Sequence, residues 1–350
     1  AAAAAAAPAG AAAPQLFFLF LTEAGVQRGD LWQAFFQGAP EGSYHVFVHC
    51  RSQSSCDSAP LSASQVQTVE TVYCDDLVSA MVQLLKESIQ QSFSSRDKFV
   101  FVSESTLPVK PFALVYETLT ADDLSDFCVS PDNHWLALQS GSTRAYLLAH
   151  SQWVTLCRHH AVRMVQQWPL VKGGFNGTDF AVGVFGTGIG RTRLPGDVPM
   201  CTDEWAIFGT IYGMVKDSGQ QAVRDLPGFG RPLFLHGPRA SSSFQGPCYT
   251  FASWGHNSFP SDKVDLISGL LRDSPHTILS CRGLHWDGKH LVTSVPHLPC
   301  NDTHPAEITA LSDEGARVLR QSHYLFARKF GPKVVDIGQF KRFILDMSDA

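Results

Sequence analysis

Two short stretches of the chain combine residue types that could do chemistry. Cys201-Thr202-Asp203-Glu204-Trp205 puts two carboxylates side by side where a helix is expected to start, and the helix dipole alone would favour them there. Tyr324-Leu325-Phe326-Ala327-Arg328-Lys329-Phe330 frames a basic pair with aromatic residues. Such a pair can snorkel from a core segment, or grip a pyrophosphate where no metal is present. His45 and His49 share a strand face but have no third ligand near them in sequence, so structural or substrate-contact roles are favoured over a metal. Gly186-Thr-Gly188-Ile-Gly190 has the wrong spacing for a dinucleotide fingerprint, and Pro195 follows too soon for the helix that fingerprint needs. No Gly-x-Ser-x-Gly elbow, Cys-x-x-Cys pair or Asp-x-Asp triplet occurs.

These residues sit in a chain of 350 residues with 44% hydrophobic and 17% charged residues. The charged share falls below the roughly 25% of an average globular protein, which excludes a wholly disordered chain. A net charge of −5 leaves no basic excess for a phosphate backbone, so no nucleic-acid partner is expected. The longest early apolar run, Leu16–Leu21, is far short of the roughly 20 residues of a membrane span. Residues 1–14 are an Ala/Pro-rich low-complexity linker without the charge of a signal peptide, and a membrane anchor upstream of residue 1 is compatible with it. Residues 15–350 are expected to form one domain. Nine Cys spread along the chain suit long-range disulfides with one thiol left over. With the sequons at Asn176 and Asn301, they tilt the reading towards the secretory pathway.

The elements that must position the site follow a strand–helix–strand rhythm. Leu16–Leu21 reads as a strand covered on both faces. Asp30–Gln37 reads as a helix with Asp30 as N-cap. Tyr44–His49 and Phe99–Val102 read as further strands, with an amphipathic helix over 75–93 between them. This order argues for a parallel α/β sheet, in which ligands bind beyond the carboxyl ends of the strands. His49–Ser52 and Ser103–Thr106, with Ser103 and Glu104, therefore fall at the candidate site. Helices are expected over 151–167, from Asp203 to Val215, over 312–321 and over 339–345, with an irregular Gly-rich stretch over 172–197.

Taken in order, LFFLFLTEAG and LWQAFFQG (16–38), YHVFVH (44–49), KFVFVSESTLPVKPFALVYETL (98–119), HSQWVTLCRHHA (150–161), CTDEWAIFGTI (201–211), YTFASW (249–254) and HYLFARKFGP (323–332) resemble the core-2/I-branching β-1,6-N-acetylglucosaminyltransferase family, in its plant and algal branch. The resemblance implies an α/β, GT-A-like fold with a mixed, mostly parallel central sheet flanked by helices. It implies an inverting transfer of a sugar, N-acetylglucosamine first among the candidates, from a UDP-sugar to a glycan hydroxyl. No cofactor or divalent metal is expected. Glu204 is implied as general base, and Lys329 with Arg328 as the counter-charge to the UDP diphosphate. A second basic diphosphate ligand is left open among Arg282, Arg317 and Arg320. His49, Ser103 and Glu104 are expected on the donor side. Trp254, Tyr249, Phe251, Trp153 and Asp203 are expected on the acceptor side. The implied partners are a UDP-sugar and a glycan or glycoprotein. The implied location is the Golgi or secretory lumen, as a type II membrane protein. The sequence departs from the family at His49-Cys50-Arg51-Ser52, where an Asp is usual just after the strand. The alternative function is a catalytically inactive or diverged sugar-binding protein of the same fold; a nucleotide-dependent oxidoreductase built on the glycine run is remote.

Overall fold

The computed structural model describes residues 12–73, 76–127, 135–140, 143–148, 150–175, 202–204, 206–212, 215–216, 249–252, 278–280, 284–286, 291–293 and 307–346. The order of elements begins β1 (Leu16–Thr22), α1 (Gly29–Phe36), β2 (Tyr44–Cys50), β3 (Ser64–Gln65), α2 (Val78–Ser88), β4 (Lys98–Ser103), β5 (Leu107–Pro108) and α3 (Phe112–Leu119). It continues with β6 (Trp135–Ser140), β7 (Thr143–Leu148), β8 (Thr155–Cys157), α4 (Arg158–Phe175), α5 (Ala206–Tyr212), β9 (Val215–Lys216) and β10 (Thr250–Ala252). Three short strands follow, β11 (Ile278–Ser280), β12 (Leu284–Trp286) and β13 (Leu291–Thr293). Then come β14 (Glu307–Ala310), α6 (Asp313–Gln321), β15 (Phe326–Arg328) and α7 (Ile337–Gln339), which runs into a π-helical turn over Phe340–Ile344.

The central sheet has the order β3-β2-β1-β4-β8. β1 pairs in parallel with β2 and β4, β2 with β3, and β8 runs antiparallel to β4 at the edge. This is the expected mixed, mostly parallel α/β sheet. β1 explains its own sequence. Leu16, Phe18 and Phe20 face a core shared with α1, α3 and the segment after Ile308, while Phe17, Leu19 and Leu21 face one shared with α2, α4 and α5. A strand buried on both faces has no polar side, so the run is continuous rather than alternating. Trp32 of α1 fills the first layer, edge-on to Phe20 at 4.9 Å, and its Nε1–H donates to the Thr106 carbonyl at 3.1 Å. That bond ties the helix to the turn at the end of β4.

A smaller sheet, β10-β15-β5, carries the basic pair. β10 and β15 are parallel, with Thr250 opposite Phe326 and Ala252 opposite Arg328, and β15 pairs antiparallel with β5. The Phe330 N–H donates to the Ser105 carbonyl at 2.9 Å, so the Arg328-Lys329 segment lies against the turn that leaves β4.

Several sequence expectations change here. Asp30 is not an N-cap: Arg28 holds that position without a side-chain cap bond, and Asp30 sits in the first turn, taking two bonds from the Arg28 guanidinium at 3.1 and 3.0 Å. The helix expected over 151–167 is a turn and the edge strand β8, and α4 begins only at Arg158. Leu156 on the strand and Ala161 on the helix bury into the same core layer, so a helical spacing spans two element types. α4 runs through Pro169 to Phe175, into the stretch expected to be irregular. The helix after Asp203 ends at Tyr212, and Val215 belongs to β9, opposite Tyr146. The disulfide among the described residues, Cys50–Cys56, closes a local loop rather than a long-range one, and Cys157 is a buried free thiol. The glycine run at 186–190 and both sequons lie outside the described residues.

One glycine shapes the exit from β1. Gly25 has φ +119°, and a Cβ there would fall 1.6 Å from the Asp57 carbonyl oxygen. Gly25→Ala combines an unfavourable backbone region with a backbone clash, and is expected to cost about 2–4 kcal/mol of stability. Urea denaturation measures it as a drop in midpoint at unchanged slope.

Candidate functional site

The carboxyl ends of β1, β2 and β4 open onto one edge of the central sheet, and the charged residues of interest gather there. Thr22, Cys50 and Ser103 end the three strands. Past β1, Glu23 pairs with Arg51 from the end of β2 at 3.3 Å, both well exposed. Past β4, Glu104 follows Ser103. Burial pushes the Glu104 carboxyl above its usual range, against the pull of Arg328 and Lys329 and with a further push from Glu23. These four charges therefore share one local field.

The turn that starts at Ser103 holds itself together. The Ser103 N–H donates to Thr106 Oγ1 at 3.1 Å, and the Ser103 hydroxyl lies 2.9 Å from Thr106 Oγ1 and 3.2 Å from the Ser105 hydroxyl. Ser103 is buried, and its polar atoms are spent on shaping the turn that presents Glu104. His49 is fully buried: its Nε2 accepts the Val69 N–H at 3.0 Å, and Nδ1 has no partner among the described residues. Burial holds its imidazole below the usual value. His45 instead stacks on Phe17, 5.0 Å between ring centres.

Asp203 and Glu204 lie in a 3-10 turn, Thr202–Glu204, just before α5. His150 ties this turn and the helix after it to the segment before β8. Its backbone N–H donates to the Glu204 carbonyl at 2.7 Å. Its Nε2 accepts the Phe208 N–H at 3.3 Å, and its Nδ1–H donates to the Ser151 carbonyl at 2.8 Å. Those roles require the neutral ring, and burial keeps it so by lowering its pKa to about 4. Asp203 is buried, and its Oδ1 has no partner among the described residues. Burial is the main cause that raises its carboxyl pKa to about 6, with Asp76 adding to it and Arg328 opposing.

Arg328 connects these parts. Its guanidinium carbon sits 4.2 Å above the ring of Trp153, a cation–π stack. Burial lowers its pKa to about 10, while Glu104, Tyr73, Asp203 and Glu204 all favour its charged form. Even so, it carries its full charge at neutral pH. Lys329 follows on the same segment; the Ile308 N–H donates to its carbonyl at 2.7 Å, and its ammonium acts on Glu104.

The structure thus brings together Glu104, Trp153, Asp203, Glu204, Arg328 and Lys329. It gives Trp153 a neighbour that the sequence did not suggest: one ring face is occupied by Arg328. Tyr249 immediately precedes β10, three residues before Ala252, the partner of Arg328; its N–H donates to Asp126 and its carbonyl accepts from Leu325 and Phe326. Burial, with Asp126 and Asp122, pushes its phenol well above the ordinary value. Phe251 lies on β10 opposite Ala327. Trp254 and Arg282 lie outside the described residues. Arg317 pairs with Glu314 and Arg320 with Asp346, both on the C-terminal helical segment. Sequence reasoning missed Tyr73, whose phenol burial, Asp203 and Glu204 raise and Arg328 lowers. It stands in the loop before α2, and no pattern in that loop marks it. Among the described residues no three His, Cys, Asp or Glu come together as a metal cage, and no helix is long and apolar enough to cross a membrane.

The strands and turns that build this edge, from β1 through α4, coincide with a recognised sequence family. Residues 16–171 match the Core-2/I-Branching enzyme family. The resemblance drawn from the motifs is borne out over that stretch. A curated relative, the glycosyltransferase BC10 of Oryza sativa subsp. japonica, is 28% identical over 118 residues, 32% of this chain and 29% of the relative. The matched stretch thus spans less than a third of that relative's length. The Core-2/I-Branching match includes Glu104, His150 and Trp153, whereas Asp203, Glu204, Arg328 and Lys329 lie beyond it.

Asp203 gives the site a pH signature. A carboxyl raised from 3.8 to about 6 favours folding in its protonated form, so its contribution is complete below about pH 4 and lost as pH rises through 6. His150 works in the opposite direction: its contribution is present above about pH 6.5 and lost as pH falls through 4. Asp203→Asn removes only the first. The stability of the variant relative to the parent should grow by about 2–3 kcal/mol between pH 4 and 7. Thermal melts of both proteins across that range check it; a constant difference contradicts the assignment.

Proposed function

We propose that the protein is an inverting glycosyltransferase that moves a sugar from a UDP-sugar to a glycan hydroxyl without a divalent metal. N-acetylglucosamine is the first choice of sugar. The observation that carries the reading is the meeting of Asp203-Glu204, Glu104 and Arg328-Lys329 at the carboxyl ends of β1, β2 and β4, within a fold whose first half matches Core-2/I-Branching enzymes.

In this reading Glu204 takes the proton of the acceptor hydroxyl as its oxygen bonds to the anomeric carbon. The bond from that carbon to the β-phosphate oxygen breaks on the opposite face, and UDP leaves with the electron pair. One carboxylate suffices, because attack is direct and no covalent intermediate forms. The charge that grows on the leaving diphosphate needs a cation. Lys329, a compact point charge beside the turn after β4, supplies it. Ser103 contributes by shaping that turn. The Cys50–Cys56 disulfide supports a place in the secretory lumen, where such bonds persist, with a Golgi-type membrane anchor upstream of this chain.

Glu204→Gln keeps the shape and removes the basic oxygen. Turnover with saturating acceptor is expected to fall by about 10²–10⁴-fold, with UDP affinity little changed. Lys329→Ala should weaken UDP binding by about 10–100-fold and slow transfer as well, with no rescue by Mg²⁺; Lys329→Arg should retain part of both. Calorimetric titration of UDP, with and without Mg²⁺, and a transfer screen over UDP-sugars decide the matter. UDP binding without transfer from any donor favours the inactive sugar-binding reading, and absence of UDP binding sinks both. Alkylation of the denatured, unreduced protein from its native source should find at most seven of the nine thiols free; nine would contradict the luminal placement.

A further inference from the structure

β1 and β2 leave the sheet side by side, and their exits are joined at two levels. The first join continues the ladder: the Arg51 N–H donates to the carbonyls of Thr22 and Glu23 at 3.1 and 3.2 Å. The second lies further along. There the Asp57 N–H donates to the Ala24 carbonyl at 3.0 Å, and the Val26 N–H donates to the Asp57 carbonyl at 2.9 Å. Gly25 and Asp57 form a parallel bridge between those two bonds. The chain between the joins has little of its own to bring Asp57 back. Arg51, Ser52, Gln53, Ser54 and Ser55 are all exposed. Their backbone bonds are short-range, from the Ser55 N–H to the Ser52 carbonyl at 3.3 Å and from the Cys56 N–H to the Gln53 carbonyl at 3.5 Å. The side-chain bonds that leave the loop, Arg51 to Glu23 and Gln65 Nε2 to the Gln53 carbonyl, are exposed and hold weakly. Cys56 stands one residue before the second join. It is half-buried against the apolar layer on one face of β1, and the disulfide ties it to the fully buried Cys50.

The same disulfide reaches the exit of β1. The Thr22 hydroxyl lies 3.3 Å from Cys50 Sγ, donates to the His49 carbonyl at 3.3 Å, and accepts the Gly25 N–H at 3.1 Å. A disulfide sulfur carries no hydrogen, so it can only accept from Thr22, whereas a Cys50 thiol can donate. The oxidation state of Cys50 therefore bears on the hydroxyl that holds the Gly25 amide.

We propose that the Cys50–Cys56 disulfide is a thiol-sensitive clasp on the candidate binding edge: formed, it holds Asp57 against Gly25 and aligns the exits of β1 and β2; cleaved, it releases that contact while the sheet stays folded. Cleavage takes a dithiol as reductant. Its thiolate attacks Cys56 Sγ, a mixed disulfide forms, and Cys50 leaves as a thiolate that takes up a proton. The second thiol of the reagent then displaces Cys56, which is protonated in turn, and the reagent departs as its own disulfide. Residues 51–57 regain the conformational freedom that the cross-link had removed, and the Asp57 contact must compete with it. β1 and β2 are held by their own core layers on both faces and keep their pairing. The consequence for ligand binding rests on the function proposed above; the clasp does not. Glu23 and Arg51 stand at these exits, where that function seats a UDP-sugar, and an edge already aligned binds with less ordering to be done.

Amide-resolved hydrogen exchange of the whole protein, with and without dithiothreitol, reads the clasp. The amides of Val26 and Asp57 should exchange about tenfold faster or more in reductant, while those of β1 and β4 change less than about threefold. Cys56→Ser, which leaves a Cys50 thiol, should show the fast exchange without reductant and respond no further to it, which separates this bond from the other cysteines. Calorimetric titration should find UDP bound about 3–10-fold more weakly by the reduced protein and by Cys56→Ser. Unchanged exchange at Val26 and Asp57 on reduction overturns the proposal. Loss of protection throughout β1 and β4 overturns it too, since the disulfide would then be a staple of the whole fold. Equal UDP affinity in both redox states overturns the bearing of the clasp on the binding edge. If the oxidised protein binds no UDP while Val26 and Asp57 still respond, the transferase reading fails and the clasp stands.

Discussion

The burial of β1 on both faces is the constraint from which the rest follows. With Leu16, Phe18 and Phe20 against one layer and Phe17, Leu19 and Leu21 against the other, the strand can exist only in the middle of a sheet with helices above and below. Parallel neighbours then bring the ends of β2 and β4 level with its own end. Polar side chains appear at that level: Thr22, then Glu23, Ser103 and Glu104. The binding edge is where the apolar strands run out.

Charge is distributed at this edge with economy. Among the described residues, Glu104, Asp203 and Glu204 share this edge with Arg328, whose guanidinium is stacked on Trp153, and with Lys329. The acidic pair before α5 is held by His150, whose backbone amide bonds the Glu204 carbonyl and whose Nε2 accepts the Phe208 amide of α5, while Nδ1–H is taken by the Ser151 carbonyl. A histidine in such a position is structural because it is neutral. An imidazolium could not accept the Phe208 amide.

Much of the fold was legible because β1, β2 and β4 have apolar runs that only a covered strand explains, and their carboxyl ends then follow from topology. Legibility failed where residues of different elements bury into one core. Leu156 and Ala161 mimic a helix across a strand boundary, and the extent of α4 through Pro169 cannot be read from a proline rule. The site was legible as residue types in quoted motifs. Its relations were not. That Trp153 lies under Arg328, or that Tyr73 joins Asp203 and Glu204, depends on three loops meeting, and no local pattern encodes a meeting of loops. The Asp30 cap failed for a similar reason: an arginine two residues earlier took the carboxylate, while its Nη1 donated to the carbonyl of Val335.

That last bond crosses 307 positions of sequence, and it is one thread of a broader dependence. The layer over one face of β1 is completed by Ile308, Leu319, Tyr324, Phe326, Phe340 and Ile344. During synthesis, the central strand emerges from the ribosome long before the residues that cover it. For most of translation, the phenylalanines of that face have α1 and α3 beside them but no lid. Non-local closure of this kind folds slowly and leaves apolar surface open to other chains meanwhile. Until residues 308–345 are in place, that face of β1 stays open, and a variant lacking this stretch leaves the layer over Leu16, Phe18 and Phe20 incomplete.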